Sequence, residues 1–103
     1  MRLSEEEIKQ IAEMIEKRAE ELDLCMDVYA DGDSVVTDVD GTYVITSEDF
    51  YWSAMKWRDG LEEADWASEW EKEDAMKMCD EVIEHLKKIS SEKTLAGIVP
   101  SLK

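Results

Sequence analysis

The sequence is poor in the residues that break helices, form disulfides or act as catalysts. Among its 103 residues are one proline, four glycines, two cysteines and one histidine. So few prolines and glycines mark few turns, which favours a compact, helix-rich domain. Cys25 and Cys79 are too few for a disulfide framework or a cysteine-based zinc site, so we expect both to be buried, reduced thiols. His85, near a predicted helix end, is expected to lie at the surface.

The sequence also lacks the motifs of common enzymes and of membrane or secreted proteins. It contains no nucleophile elbow, zinc-protease helix, P-loop or dinucleotide-binding glycine motif. No apolar run approaches the ~18 residues of a membrane-spanning helix, and the N-terminal MRLSEEEIKQ has no apolar signal region. We therefore predict a protein that is not an enzyme, needs no cofactor and stays in the cytoplasm, which is the host cytoplasm if a phage encodes it.

Basic residues are scarce, and the excess of acids is the most unusual feature of the chain. There are 27 Asp and Glu residues against 12 Lys and Arg residues, for a net charge of −15. The segment DGLEEADWASEWEKED, residues 59–74, has eight acids and one lysine. Such a chain repels nucleic acids and anionic membranes and is attracted to basic surfaces. We therefore expect it to bind a basic protein, and neither nucleic acid nor a membrane directly.

The hydrophobic pattern predicts a single α+β domain over residues 1–103. Ser4 and Glu7 form a capping box, and apolar residues at three- and four-residue spacing follow, which predicts a helix over residues 3–24. Asp–Gly dipeptides then separate runs rich in Val, Tyr, Thr and Ile, which predicts an antiparallel meander over residues 25–46. A sheet this small needs a helix on one face, and the first helix suits that position.

The second half of the chain is predicted to be helical, in the overall order αβββαα. Residues 50–58 are ambiguous, because their aromatic side chains would also suit a strand. A helix is favoured, beginning at Thr46 or Ser47 and ending at Gly60. A break between Ser68 and Asp74 is an open alternative, and Leu95–Val99 would either dock or fray. The predicted boundaries are strands near 25–30, 34–39 and 42–46, helices over 48–59 and 61–89, and a tail over 90–103.

Two features with a possible ligand have simpler structural explanations. The segment DVYADGDSVVTD resembles a calcium loop, with Asp27 first and Gly32 sixth, but Tyr29 and Asp38 occupy positions that need other ligands. Hairpin turns explain the same residues, so no metal site is predicted. The four tryptophans are expected to be mainly core residues, with one or two left exposed as anchors for a partner.

The stretch Asp40-Gly41-Thr42-Tyr43-Val44-Ile45-Thr46, followed by acids and aromatic helices, resembles a turn and strand of small acidic anti-CRISPR proteins from prophages. The resemblance implies the fold order helix, three strands and two helices. It also implies a protein that mimics DNA and blocks DNA binding by a type II CRISPR nuclease loaded with its guide RNA. Members of that family with this turn have an acid between the Gly and the Tyr, whereas Thr42 stands here.

On this hypothesis, carboxylates replace the DNA groups that arginines of the nuclease would contact. Asp38 and Asp40 would enter the pocket that reads the short DNA motif, and the other acids would line the channel. The predicted partner-binding residues are Asp31, Asp33, Asp38, Asp40, Glu62, Glu63, Asp65, Glu69, Glu71, Glu73 and Asp74. The alternative is a non-catalytic interaction domain from a phage or mobile element, which would bind through an aromatic surface and use its acids for solubility.

Overall fold

The chain folds into one helix, a three-stranded antiparallel meander and two further helices, as the sequence predicts. The structure is a computed structural model that describes residues 2–98, with side chains described for residues 2–93. The sheet has the order β1-β2-β3. The αβββαα order and the α+β class are confirmed. The elements are α1 (Glu5–Glu21), β1 (Asp27–Asp31), β2 (Ser34–Asp38), β3 (Thr42–Thr46), α2 (Phe50–Glu63) and α3 (Glu69–Ile98).

Both ends of α1 are closed by local hydrogen bonds. The predicted capping box is present, with the Glu7 N–H donating to Ser4 Oγ and the Ser4 N–H donating to Glu7 Oε1. At the other end Asp23 adopts a left-handed conformation, at φ 57°. The N–H of Leu24 then donates to the Ala19 carbonyl at 2.9 Å, which is the Schellman arrangement. The helix therefore ends at Glu21 and not at residue 24.

The strand register divides the sheet into a covered face and an open face. Val35, Thr37 and Ile45 point into the domain and are fully buried. On the opposite face Val36 lies between Tyr29 and Val44, its partners on the two neighbouring strands. Tyr29 and Val44 are exposed. Since side chains alternate along a strand, the acids Asp27, Asp31 and Asp38 also belong to this open face.

The core lies between the covered face of the sheet and the three helices. α1 packs on β1 and β2, whereas α2 packs on β3, and α3 contacts both of the other helices. Trp57 is almost fully buried, and its Nε1–H donates to Thr37 Oγ1 at 2.9 Å. The main apolar contributors are Ile8, Ile11, Ile15, Val35, Ile45, Phe50, Trp57, Leu61, Met78 and Leu86.

Residues 50–58 form a helix, but its predicted ends are wrong. Thr46 is still paired in β3, and the N–H of Ser47 donates to the Asp33 carbonyl, so α2 begins only at Phe50. Gly60 does not end the helix, which continues to Glu63. A Cβ on Gly60 would meet the ring of Tyr43, 2.7 Å from Cε1. This glycine is therefore a point of close approach between α2 and β3.

The break between α2 and α3 falls at residues 64–68. The Trp66 Nε1–H donates to the Leu61 carbonyl at 2.7 Å, which satisfies an acceptor in the last turn of α2. The Ser68 hydroxyl accepts from the Glu71 N–H and caps the start of α3. The predicted helix over 61–89 therefore starts too early, since α3 begins at Glu69. The predicted tail over 90–103 is wrong as far as Ile98, the last residue of α3.

The two cysteines differ in exposure. Cys79 is buried, as expected, and burial raises the pKa of its thiol to about 12. The expectation that Cys25 is buried is wrong: it is exposed, because the neighbouring Leu24 takes the buried position. His85 is exposed as predicted. The interaction predicted for Leu95–Val99 lies outside the residues with described side chains. None of the described helices is both long and apolar enough to span a membrane.

Candidate functional site

Two aspartates of the open face stand directly opposite each other at one end of the sheet. The register pairs Asp27 of β1 with Asp38 of β2. Like charges in this position repel each other and destabilise a sheet. One oxygen of Asp38 accepts a hydrogen bond from the Thr42 hydroxyl at 2.6 Å, whereas no described cation pairs with either carboxylate. The repulsion between them is therefore left uncompensated.

The C-terminal half of α1 brings two more acids to this pair. Glu16 and Glu20 line a cleft of about 450 Å³ together with Asp27, Asp38 and the exposed Tyr29. The cleft residues include no Lys, Arg or His. Four carboxylates thus surround one cleft beside the edge strand β1, with no counter-charge among its walls.

The adjoining tip of the β2–β3 hairpin is tied to the loop after α2. Asp40 Oδ2 accepts from the backbone N–H of Asp65 at 2.9 Å, and Asp40 Oδ1 accepts from the Tyr43 hydroxyl at 2.8 Å. Both bonds lower the pKa of Asp40, and the bond from the Asp65 N–H has the larger effect. The bond to Asp40 raises the pKa of Tyr43. Asp40 therefore stays ionised in a defined position, and the tyrosine stays protonated.

The two groups of acids adjoin, and we call the combined surface the acidic end. Asp38 and Asp40 belong to the same turn, Asp40 holds Asp65, and Glu63 lies near enough to Tyr43 to influence its pKa. Within the described part of the chain, no member of this surface takes part in an ion pair. The acidic end consists of Glu16, Glu20, Asp27, Asp38, Asp40, Glu63 and Asp65.

Other predicted acids lie around bases on the α2–α3 surface. Arg58 donates to Asp80 Oδ1 at 2.7 Å and to Glu62 Oε2 at 3.1 Å. The bond to Asp80 raises the pKa of Arg58, so the cation persists. Glu69 and Glu73 share the same depression with Arg58, Lys72 and Lys77. This part of the predicted channel surface is largely neutralised.

The remaining predicted acids point elsewhere. Asp31 ends β1 opposite Ser34, and Asp33 directly precedes Ser34, so both lie at the other end of the sheet, at least about 13 Å from Asp38 along β2. Asp33 Oδ2 accepts from Arg2 and from the Ser47 hydroxyl, both at 3.3 Å. Asp74 lies near enough to Arg18 to raise the pKa of that guanidinium, after the larger effect of Glu81. Glu71, half-buried, belongs to the first turn of α3.

A separate aromatic groove lies at the N-terminal end of α2. Its volume is about 560 Å³, and its residues are Glu48, Asp49, Phe50, Tyr51, Trp52, Met55 and Ser90. Trp52 is 70% exposed, as is Trp70 at the start of α3. Trp57 is buried and Trp66 is half-buried, so two tryptophans are exposed as expected, but the expectation that the four are mainly core residues is wrong.

Glu16, Glu20 and Asp27 are not among the partner-binding residues predicted from the sequence. Asp27 could have been found from the register: if Asp31 and Ser34 flank a two-residue turn at Gly32, Asp27 must oppose Asp38. Gly32 has φ 61°, which fits the first position of such a turn. Glu16 and Glu20 could not be found, because their position depends on how α1 packs against the sheet.

Comparison of the chain with protein-family profiles, with curated protein sequences and with solved structures finds no match. Among the described residues, no group of three or more His, Cys, Asp or Glu side chains is arranged to hold a metal ion. The function is therefore inferred from the charge and geometry of the surface.

Proposed function

We propose that this protein is an acidic inhibitor that occupies the DNA-binding surface of a basic protein, and specifically that it is an anti-CRISPR protein which mimics DNA. The observation that carries the proposal is the acidic end, where seven carboxylates have no described ion-pair partner. The resemblance of residues 40–46 to prophage anti-CRISPR proteins supplies the choice of target.

The electrostatic repulsion within the acidic end supports a role in binding. Two charges about 5 Å apart repel each other by about 1 kcal/mol even at the dielectric constant of water. Asp27 and Asp38 are a directly opposed pair, and the Cβ atoms of opposed residues lie about 5 Å apart, which keeps the two carboxylates close together. Arginine side chains of a partner would convert this repulsion into attraction, since each carboxylate can accept two guanidinium hydrogen bonds.

The hydrogen bonds support different proposed roles for the two hairpin aspartates. Both oxygens of Asp40 already accept hydrogen bonds, so Asp40 holds the hairpin tip and adds charge. Asp38 has one oxygen bound to Thr42 and a second oxygen without a described partner. Asp38 and Asp27 are therefore the proposed contacts for arginines that otherwise read a guanine edge or hold a phosphate.

The test measures DNA binding by guide-loaded type II CRISPR nucleases with and without this protein, at about 0.05 M and about 0.3 M salt. We expect loss of DNA binding at low salt and its recovery at the higher salt. The double variant Asp27→Asn/Asp38→Asn should inhibit at least about tenfold less well, because two arginine contacts are lost. Its thermal stability should not fall, since the substitution removes repulsion.

A charge-matched control distinguishes this site from general acidity. Glu84 and Glu92 are exposed on α3, and Glu84→Gln/Glu92→Gln changes the net charge by the same amount. We expect this control to inhibit as well as the unaltered protein. Equal loss in both double variants would show non-specific attraction, and failure to inhibit any nuclease would contradict the anti-CRISPR assignment.

A second candidate function is a non-catalytic interaction domain that binds through its aromatic surface. The exposure of Trp52 beside the groove favours it, because tryptophan is a frequent anchor at protein interfaces. In that case the main contact would be apolar, and partner binding would change little between the two salt concentrations. Trp52→Ala would then abolish binding, whereas Asp27→Asn/Asp38→Asn would leave it intact.

A further inference from the structure

We propose that the aromatic groove at the N-terminal end of α2 is a second binding site, which accepts a segment of a partner protein with an arginine next to an apolar side chain. The buried Phe50 and the exposed Trp52 and Met55 are among the residues that line the groove. Its volume of about 560 Å³ falls within the range of ligand pockets.

The exposed apolar side chains of the groove favour an apolar side chain of the partner. Trp52 is 70% exposed and Met55 is 42% exposed, and they lie close together on α2. Large aromatic and methionine side chains contribute strongly to binding when a partner covers them. An aliphatic side chain placed against Met55 would remove its exposed surface from water.

The negative charge of the groove favours a cation next to the apolar group of the partner. Glu48 and Asp49 are its charged residues, and no Lys, Arg or His is among the residues that line it. Asp49 is the N-cap of α2, but its side chain makes no capping hydrogen bond. Neither carboxylate has a described hydrogen-bond or ion-pair partner, so both can accept from an incoming donor.

Arginine fits these walls better than lysine does. A guanidinium can stack on an indole face while its N–H groups donate to a carboxylate. Trp52 supplies the face, and Glu48 and Asp49 supply the acceptors. Phosphate groups and acidic peptides would be repelled by the same carboxylates, which excludes a nucleic acid as the occupant.

The groove is independent of the acidic end. It lies at the first turns of α2, whereas Glu63 and Asp65 lie at and beyond the last turn. A helix of 14 residues is about 20 Å long, so the two surfaces are separated by most of that length. The groove therefore remains testable whether or not the protein inhibits a nuclease.

The test uses the full chain and three short synthetic peptides, which alternate Leu with Arg, Ser with Arg, and Leu with Glu. NMR follows the indole N–H signals of the tryptophans. We expect the Leu–Arg peptide to shift the Trp52 signal and to bind at least about tenfold more tightly than the other two. Trp52→Ala and Asp49→Asn should each weaken its binding by a similar factor.

Trp70 provides a matched control, because it is exposed to the same extent as Trp52. Trp70→Ala should leave the affinity for the Leu–Arg peptide unchanged. Equal binding of the Ser–Arg peptide, or equal loss in Trp70→Ala, would overturn the proposal in favour of general attraction to an acidic protein. A Trp52 signal that shifts with protein concentration alone would overturn it in favour of a second copy of this chain.

Discussion

Replacement of Gly60 by alanine should destabilise the protein, although the residue lies inside a helix. In an ordinary helix interior this change gains about 1 kcal/mol, because alanine has the higher helix propensity. Here the new Cβ would lie 2.7 Å from Cε1 of Tyr43. Extra atoms in a packed contact cost about 1–3 kcal/mol. The Tyr43 ring cannot move away freely, because its hydroxyl is bound to Asp40. We therefore expect a net loss of about 1 kcal/mol.

A double-mutant cycle tests this reasoning by thermal or urea unfolding. Gly60→Ala alone should lower the melting temperature by about 4–8 °C, the shift expected per kcal/mol for a domain of about this size. In a Tyr43→Ala background the ring is absent, and the same substitution should become stabilising by up to about 1 kcal/mol. The change of sign is the decisive observation. If Gly60→Ala raises the stability of the otherwise unaltered protein, the proposed contact between α2 and β3 does not exist.

Three further predictions concern individual side chains. Trp57→Phe removes the buried donor to Thr37 and should cost about 2–3 kcal/mol in urea unfolding; a cost below about 0.5 kcal/mol would contradict the buried bond. The pKa of Asp40 is lowered from 3.8, so its stabilising effect is present above that pH and is lost below it. The stability difference between the protein and Asp40→Asn should therefore narrow as the pH falls below 3.8. Iodoacetamide should modify Cys25 but not Cys79 in the native state. Mass spectrometry would measure the number of modified thiols.

Much of the fold could be predicted because its determinants are local. The capping box at Ser4 and the spacing of the isoleucines that follow define α1 without reference to the rest of the chain. The Asp–Gly turn at Gly32 similarly positions two strands. Gly60 was misread because its role depends on Tyr43, which lies far away in sequence. The start of α2 was misplaced because the Ser47 N–H bonds to the distant Asp33 carbonyl.

The candidate site could be predicted only in part, for a related reason. The acids of the hairpin tip follow from the turn, whereas their counter-charges do not. Arg58 neutralises Glu62 by a contact within α2 and Asp80 by a contact between helices. Sequence counts treat Glu62 and Glu63 alike, but packing places only the second beside Tyr43. A surplus of acids in a segment therefore indicates a charged protein and does not locate the uncompensated surface.

The position of the acidic end explains how the fold tolerates it. The stabilising contacts lie on the covered face of the sheet, around Trp57 and Val35, whereas Asp27 and Asp38 belong to the open face, where water and salt can screen them. Added salt should therefore stabilise the fold by screening this repulsion, and should weaken the proposed binding to a basic partner. Both responses have one cause, because the charges that repel each other in the free protein are those that attract the partner. Asp27→Asn/Asp38→Asn should reduce both salt responses together. Unfolding of the variant could not produce this combined result.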